Sequence, residues 1–345
     1  MNSGSVLDNI KSDFFIQIIF GIMQKNIAFK IVKFNKKLQK KLNINIYDYK
    51  NFYEIYASTK VEIIPIKDKC GKFINVNEDD KKYYHIYFND SKEEIKNKYS
   101  INEKDKVTKI KIIIDYQVES LYNVFKECNC IESIDFKNYC HKNPLLESIF
   151  SGCSSVKEIN FSNFYNNKIA NMSKTFSGCS SLQKVSFYNF YNNKMTRMDK
   201  TFSGCSALKE VILSNFYNNE IIGIDLTFSG CSALKEVNAS NFFSNESTEI
   251  NKSFFECSSI LKINLSNFQN NKTTAMNETF SGCSSLRELN ASNFSRNRIT
   301  IMDKTFFECS SLQKINLSNF QNNRIIRMDS AFSGCSNKLK VNKIS

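Results

Sequence analysis

The sequence predicts an α/β repeat protein. Its solenoid coils would each contribute one parallel β-strand and a short helix, behind a small helical or α+β N-terminal region. Three observations predict it. Cys153, Cys179, Cys205, Cys231, Cys257, Cys283, Cys309 and Cys335 recur every 26 residues, and Cys128, 25 before the first, belongs to a degenerate leading copy. Phe stands three positions before each of these eight, from Phe150 to Phe332, and an aliphatic stands six after, from Ile159 to Val341. Two further ladders run eleven and nineteen after the cysteine, Phe164 to Phe320 and Met172 to Met328. Five coincident ladders at one period are the mark of a stacked array.

Each coil reads in two parts. In Leu312-Gln313-Lys314-Ile315-Asn316-Leu317, Ile315 and Leu317 alternate with polar neighbours, the period-2 pattern of a strand with one buried face. Asn319 then stands at a turn, as do Asn163, Asn189, Asn215, Asn241, Asn267 and Asn293, where stacked amides can satisfy backbone groups. Twenty after the cysteine come Ser173, Asp199, Asp225, Asn251, Asn277, Asp303 and Asp329. These are N-cap residue types, so a helix of one or two turns is expected to follow, with its Phe and Cys facing inward.

The pattern Leu-x-x-Ile-x-Leu-Ser-Asn-Phe is close to a leucine-rich-repeat consensus. With Phe150-Ser151-Gly152-Cys153-Ser154-Ser155-Val156 and Phe280-Ser281-Gly282-Cys283-Ser284-Ser285-Leu286, it resembles the BspA-like leucine-rich repeats of bacterial and protist proteins. The resemblance covers residues 107–345. It departs where Glu256 and Glu308 replace Gly, and where the last copy slips at Lys338-Leu339. It implies a right-handed leucine-rich-repeat solenoid, here of about eight or nine coils, used for protein contacts. None of the shared motif residues is catalytic in that family, and many of its members are surface proteins.

Composition narrows the function. The 345 residues carry 47 Lys+Arg against 34 Asp+Glu, a net charge of +13. The excess is spread evenly: residues 1–120 hold 22 basic and 16 acidic side chains, and the rest hold 25 and 18. No basic patch emerges, so no nucleic acid is expected as a partner. The longest apolar stretch, Phe14 to Met23, is too short for a membrane span and lacks the flanks of a signal peptide. His85 and His141 are the only histidines, neither lies in a triad or a metal-binding helix motif, and no phosphate-binding glycine loop occurs in the sequence. The chain is therefore read as non-enzymatic, with no cofactor.

The 12 cysteines are read mainly as buried free thiols, small hydrophobes that favour a reducing, cytoplasmic setting. Equivalent cysteines one rung apart have parallel side chains, a poor geometry for disulfides. The one zinc candidate, Cys128, Cys130, Cys140 and His141, lacks the pair spacing that zinc needs. Asn160, Asn238, Asn264, Asn290 and Asn316 are also N-x-Ser sequons, which would crowd glycans on adjacent rungs of a secreted protein.

The outward strand positions are the expected contact surface. Five after each cysteine the row is Glu158, Lys184, Glu210, Glu236, Lys262, Glu288, Lys314 and Lys340, mostly of opposite sign between neighbours. Seven after, it is Asn160, Ser186, Ile212, Asn238, Asn264, Asn290, Asn316 and Asn342. The candidate partner-binding residues are Asn160, Glu210, Ile212, Asn238, Lys262, Asn264, Asn290 and Asn316, with Ile212 the single apolar member. The asparagine row reads equally as a solubilising hydrogen-bonded ladder.

Residues 1–45 read as helical, with apolar spacing from Leu7 to Leu42. One reading is a cap over the open end of the solenoid. The other is that Ile10, Ile18-Ile19-Phe20, Ile22, Ile27, Ile31 and Lys36-Lys37-Leu38 resemble an F-box, without its Pro and Trp. That resemblance implies docking to a Skp1-like adaptor through Ile10, Ile18, Ile22, Ile27 and Ile31. Residues 46–106 read as a small α+β or capping region with strands at 61–64 and 82–88 and turns at 77–80 and 89–91. Lys109 to Ile114 reads as the first rung of the stack.

Overall fold

A computed structural model describes residues 36–42, 58–115, 117–139, 145–161, 169–186, 196–212, 223–238, 249–264, 274–290, 299–316 and 325–342. A short helix, α1 (Lys36–Lys41), falls at the end of the helical region expected from sequence. The strands β1 (Thr59–Pro65), β2 (Gly71–Lys72), β3 (Tyr84–Phe88), β4 (Ser100–Ile101) and β5 (Ile110–Ile114) form the N-terminal unit. Alternation sets its buried face: Val61 and Ile63 on β1, Ile86 on β3, and Ile110, Ile112 and Ile114 on β5 are all buried.

The parallel run follows, from β6 (Ile131–Asn138) through β7 (Glu158–Asn160), β8 (Lys184–Ser186), β9 (Glu210–Ile212), β10 (Glu236–Asn238), β11 (Lys262–Asn264), β12 (Glu288–Asn290), β13 (Lys314–Asn316) and β14 (Lys340–Asn342). The N-terminal unit joins it through one sheet of order β3-β5-β1-β6-β7-β8, and β9 to β14 form a second. The first rung is thus β6, paired parallel with β7. The Lys109–Ile114 segment is not a rung: β5 pairs antiparallel with β1 and β3. Its period-2 pattern announces a strand but says nothing about the direction of its neighbour. The architecture is a β-solenoid of stacked parallel strands with very little helix.

The short helix expected in each coil is replaced by linked turns. In one coil Thr175, Ser177 and Cys179 donate their N–H groups to Met172, Lys174 and Phe176, at 3.0–3.2 Å. The alternate N–H groups, of Lys174, Phe176 and Gly178, leave the coil for the carbonyls of Asp199, Thr201 and Ser203 in the next, at 2.7–2.9 Å. An α-helix would need all of them internally. Lys174 at φ +56° and Gly178 at φ +76° are left-handed, a conformation that ends a helix and aims alternate N–H groups along the solenoid axis.

Inside, the columns are continuous. The Phe rings from Phe125 through Phe150 to Phe332 stack with centroids 5.3–5.7 Å apart and planes within 17° of parallel. Beside them each cysteine thiol from Cys153 to Cys335 donates to the carbonyl of the Phe one coil back, as Cys205 does to Phe176 and Cys231 to Phe202, both at 3.1 Å. Thr201, Thr227, Thr279 and Thr305 are buried, and each places its hydroxyl between a carbonyl of its own coil and one of the preceding coil. Phe125 and Cys128 close the column at its N-terminal end and are fully buried, which makes the leading copy a structural coil.

The Gly-to-Glu departures obey a packing rule. Glu127, Glu256 and Glu308 adopt φ of 58–59°, so the left-handed turn survives the loss of Gly. Each is followed one coil on by a glycine, Gly152, Gly282 or Gly334. A Cβ at Gly282 would lie 3.3 Å from the Cα and Cγ of Glu256, and one at Gly152 only 2.8 Å from Cγ of Glu127.

Candidate interaction surface

In the three-residue strands the central side chain faces inward and the one before it faces outward. Ile159, Val185, Val211, Val237, Ile263 and Ile315 face the core. Glu158, Lys184, Glu210, Glu236, Lys262, Glu288, Lys314 and Lys340 are exposed. Parallel register sets Glu158 against Lys184, Glu236 against Lys262, Lys262 against Glu288, and Glu288 against Lys314. Two neighbours repel: Glu210 with Glu236, and Lys314 with Lys340.

The row two residues on is also in register. Asn238 pairs with Ile212 and Asn264, Asn264 with Asn290, and Asn316 with Asn342. Glu210, Ile212, Asn238, Lys262, Asn264, Asn290 and Asn316 therefore belong to one sheet, whereas Asn160 belongs to the other. Of the asparagine row only Asn160 has a described side chain, and it is half-buried. The turn asparagines from Asn163 to Asn319 lie outside the described residues, as do Ile10, Ile18, Ile22, Ile27 and Ile31. A ridge beside the strands was not anticipated from sequence. Lys157, Gln183, Lys209, Lys235, Arg287 and Gln313 are exposed there, with Leu261 an apolar member, 47% exposed.

The second face carries a ladder read from sequence as helix caps. Oδ1 of Asp199, Asp225, Asn251, Asn277 and Asp303 each accepts the backbone N–H of the equivalent residue one coil on, at 2.9–3.2 Å. The side chains cap the neighbouring coil, since no helix follows them to be capped. Asp199 is balanced by Arg197 at 2.8 Å, and Asp303 by Arg327 at 2.6 Å. Asp225 is half-buried beside other carboxylates: burial first, then Glu249 and Asp199, raise its pKa to about 6.

Asp225→Asn keeps the Oδ1 acceptor for Asn251 and removes the charge. A carboxyl with a raised folded pKa favours the native state below its ordinary value near 3.8, and loses that advantage as pH climbs through about 6. The variant should therefore match the parent near pH 4 and gain about 1 kcal/mol at pH 7, after allowance for solvent screening. Chemical denaturation at both pH values checks this; an equal gain at both would remove the ionisation of half-buried Asp225 as its cause.

The described cysteines are free, and all but two of them are buried: Cys70 is exposed and Cys335 half-exposed. Burial raises Cys153, Cys257 and Cys309 to about 12, and Cys179, Cys205, Cys231 and Cys283 well above the ordinary thiol value. Of the zinc candidates, Cys130 donates to the Lys72 carbonyl at 3.2 Å and Cys128 is contacted by the Asn75 amide at 3.8 Å, while Cys140 and His141 lie outside the described residues. Treating the native chain with a maleimide should label Cys70 and spare the column from Cys179 to Cys309 until denaturant is added, as read by peptide mass mapping. Rapid native labelling of Cys205 or Cys231 would contradict the column.

His85 sits between Glu94 at 3.1 Å and Asp115 at 3.3 Å, on opposite sides of its ring, so the carboxylates do not converge on one point. Among the described residues no cluster of three or more His, Cys, Asp or Glu side chains is placed to hold a metal ion, and no helix is long and apolar enough to cross a membrane.

Comparison with known families gives one match. The BspA type leucine-rich repeat region matches residues 119–238 and 196–340, in 6 copies, together more than half of the chain. No curated protein matches the chain, and no solved structure does.

Proposed function

The chain belongs to the BspA-type leucine-rich repeat family, and from that premise we propose that it is a non-enzymatic protein-interaction module whose contact surface is the outward face of the strands. The observation that carries this reading is the in-register exposed row from Glu210 to Lys340, which contributes nothing to the core. A surface of charged and amide side chains on a rigid stack favours specificity through charge pairing. The candidate contacts are Glu210, Ile212, Asn238, Lys262, Asn264, Asn290 and Asn316, with Asn160 on the adjoining sheet.

The test is affinity capture with mass spectrometry, using the parent chain and a Glu236→Lys/Lys262→Glu/Glu288→Lys variant. These side chains are exposed, so the stack should persist, as far-UV circular dichroism can verify. Loss of a captured protein is the expected result; an unchanged set of captured proteins would sink the reading. The F-box resemblance of residues 10–42 adds a narrower version, in which a ubiquitin-ligase adaptor of the Skp1 type docks there. It requires such an adaptor to be captured and to be lost in Ile18→Asp/Ile22→Asp. A cytoplasmic setting is proposed because so many buried thiols are free. Labelling of intact cells distinguishes it from a cell-surface adhesin role.

A further inference from the structure

The junction between the N-terminal unit and the leading coil holds a cavity of about 240 Å³. One wall comes from the N-terminal unit: Asn75, Asn77 ahead of the short 3₁₀ helix Glu78–Tyr83, and Tyr84 at the start of β3. The other comes from the turns that open the leading coil, Ser120 to Val124. Asn75 ties the walls together. Its backbone N–H donates to the Val124 carbonyl at 2.7 Å, and its amide to Lys126 at 2.8 Å and Asn123 at 3.0 Å. The contacts that close the coil therefore also fix the shape of the cavity.

Most polar groups of the lining are not used by the fold. Tyr84 is only 5% exposed, yet its hydroxyl has no hydrogen-bond partner among the described residues. Buried tyrosine hydroxyls normally find one. The amide of Asn77 does not cap the 3₁₀ helix that it precedes. Oδ1 of Asn123 is buried without a donor. Ser120 accepts the Tyr122 N–H at 3.1 Å, which leaves its O–H to donate. Tyr122 is 57% exposed and stands six before its cysteine, the position that Asp199 and Asp225 hold in the ladder. A phenol there adds no rung to that ladder.

We propose that this cavity binds a single neutral sugar ring, stacked on Tyr122 and hydrogen-bonded by Tyr84, Asn77 and Ser120. Among the described residues every polar side chain of the lining is uncharged. Hydroxyls and amides both donate and accept, as a ring of sugar hydroxyls requires. The carbon face of a pyranose is apolar and suits an exposed aromatic ring. The volume lies below the ~300 Å³ at which sites for larger ligands begin, so one ring fits and an extended peptide does not. An anion is disfavoured, because the described lining holds no cation and the Asp80 carboxylate acts on Tyr84. The site shares no residue with the outward strand row and does not depend on that reading.

The probes are the methyl pyranosides of glucose, galactose, mannose and N-acetylglucosamine, with N-acetylneuraminic acid as the charged control. Saturation-transfer NMR on the 345-residue chain reads their binding. At least one methyl glycoside should bind, with Kd on the order of 1 mM, as suits so few atoms. Tyr84→Phe removes only a hydroxyl and should weaken binding about fivefold. Tyr122→Ala should weaken it about tenfold. Amide exchange at Phe125 and Glu127 reports whether each variant keeps the leading coil, and Asn77→Ala, at an exposed residue, replaces Tyr84→Phe if that coil is disturbed. An oligosaccharide ending in the preferred ring separates the two sources of the sugar. Binding as tight as that of the methyl glycoside identifies a glycan terminus, and lost binding identifies a free sugar. The proposal is overturned if no methyl glycoside binds, if N-acetylneuraminic acid binds equally well, or if the folded variants bind as the parent does.

Discussion

Phe228→Ala should destabilise the chain by about 4 kcal/mol, the range for removing a buried phenylalanine together with the cavity it leaves. Phe228 is 1% exposed, and its ring stacks 5.4 Å from Phe202 and 5.3 Å from Phe254. Removing it takes a partner from two coils at once. The strands and turns of those coils are tied by hydrogen bonds across the gap, so collapse into the cavity is limited. In a quasi-one-dimensional stack the damage falls on the neighbouring interfaces. The single denaturation transition should therefore become shallower or split, as the two flanks unfold separately. Phe332→Ala is the internal control: among the described residues it stacks on one ring, Phe306, and it is half-buried. Its loss should be less than half as large. Equal losses at the two positions would show that the column does not act as a stack.

Asn75→Ala should cost about 2 kcal/mol and act locally. One side chain satisfies the carbonyls of Asn123 and Lys126, and its backbone holds that of Val124. Alanine keeps the backbone bond and strips the amide from both carbonyls, where each uncompensated group carries a penalty of about 1 kcal/mol or more. The consequence is fraying of the leading coil. Exchange should speed at Phe125 and Glu127, which donate to Ile149 and Ser151, and stay near parental values from Cys205 onward. Uniform acceleration along the whole stack would mean that Asn75 holds something other than this end.

Much of this fold is legible in one repeat. The cysteine and phenylalanine ladders announce the solenoid because every coil must fill the same cross-section, and the strand alternation Lys-Ile-Asn or Glu-Val-Asn sets which side chains face outward. The exposed Glu and Lys row follows directly, since the residue before a buried strand position faces the other way. The turn face is less legible. Ser, Asp and Asn are helix-cap residues and turn residues alike. What separates the two here is where alternate N–H groups find acceptors, and those acceptors lie 25 residues away, as Ser203 does for Gly178. The Lys109–Ile114 misassignment has the same origin, because strand direction belongs to the pair and not to the strand.

The sequence by itself determined the repeat, its inward columns and its outward row of Glu and Lys, for these are periodicities along one chain. Only the tertiary structure decided the rest: the antiparallel junction of β1 with β6, the thiol bonds to the preceding coil, the aspartate and asparagine ladder, and the closing of the leading coil by Asn75. The physical reason is common to all of them. Each is a hydrogen bond between groups far apart in the chain, and its partner is chosen by what lies across a gap of one coil.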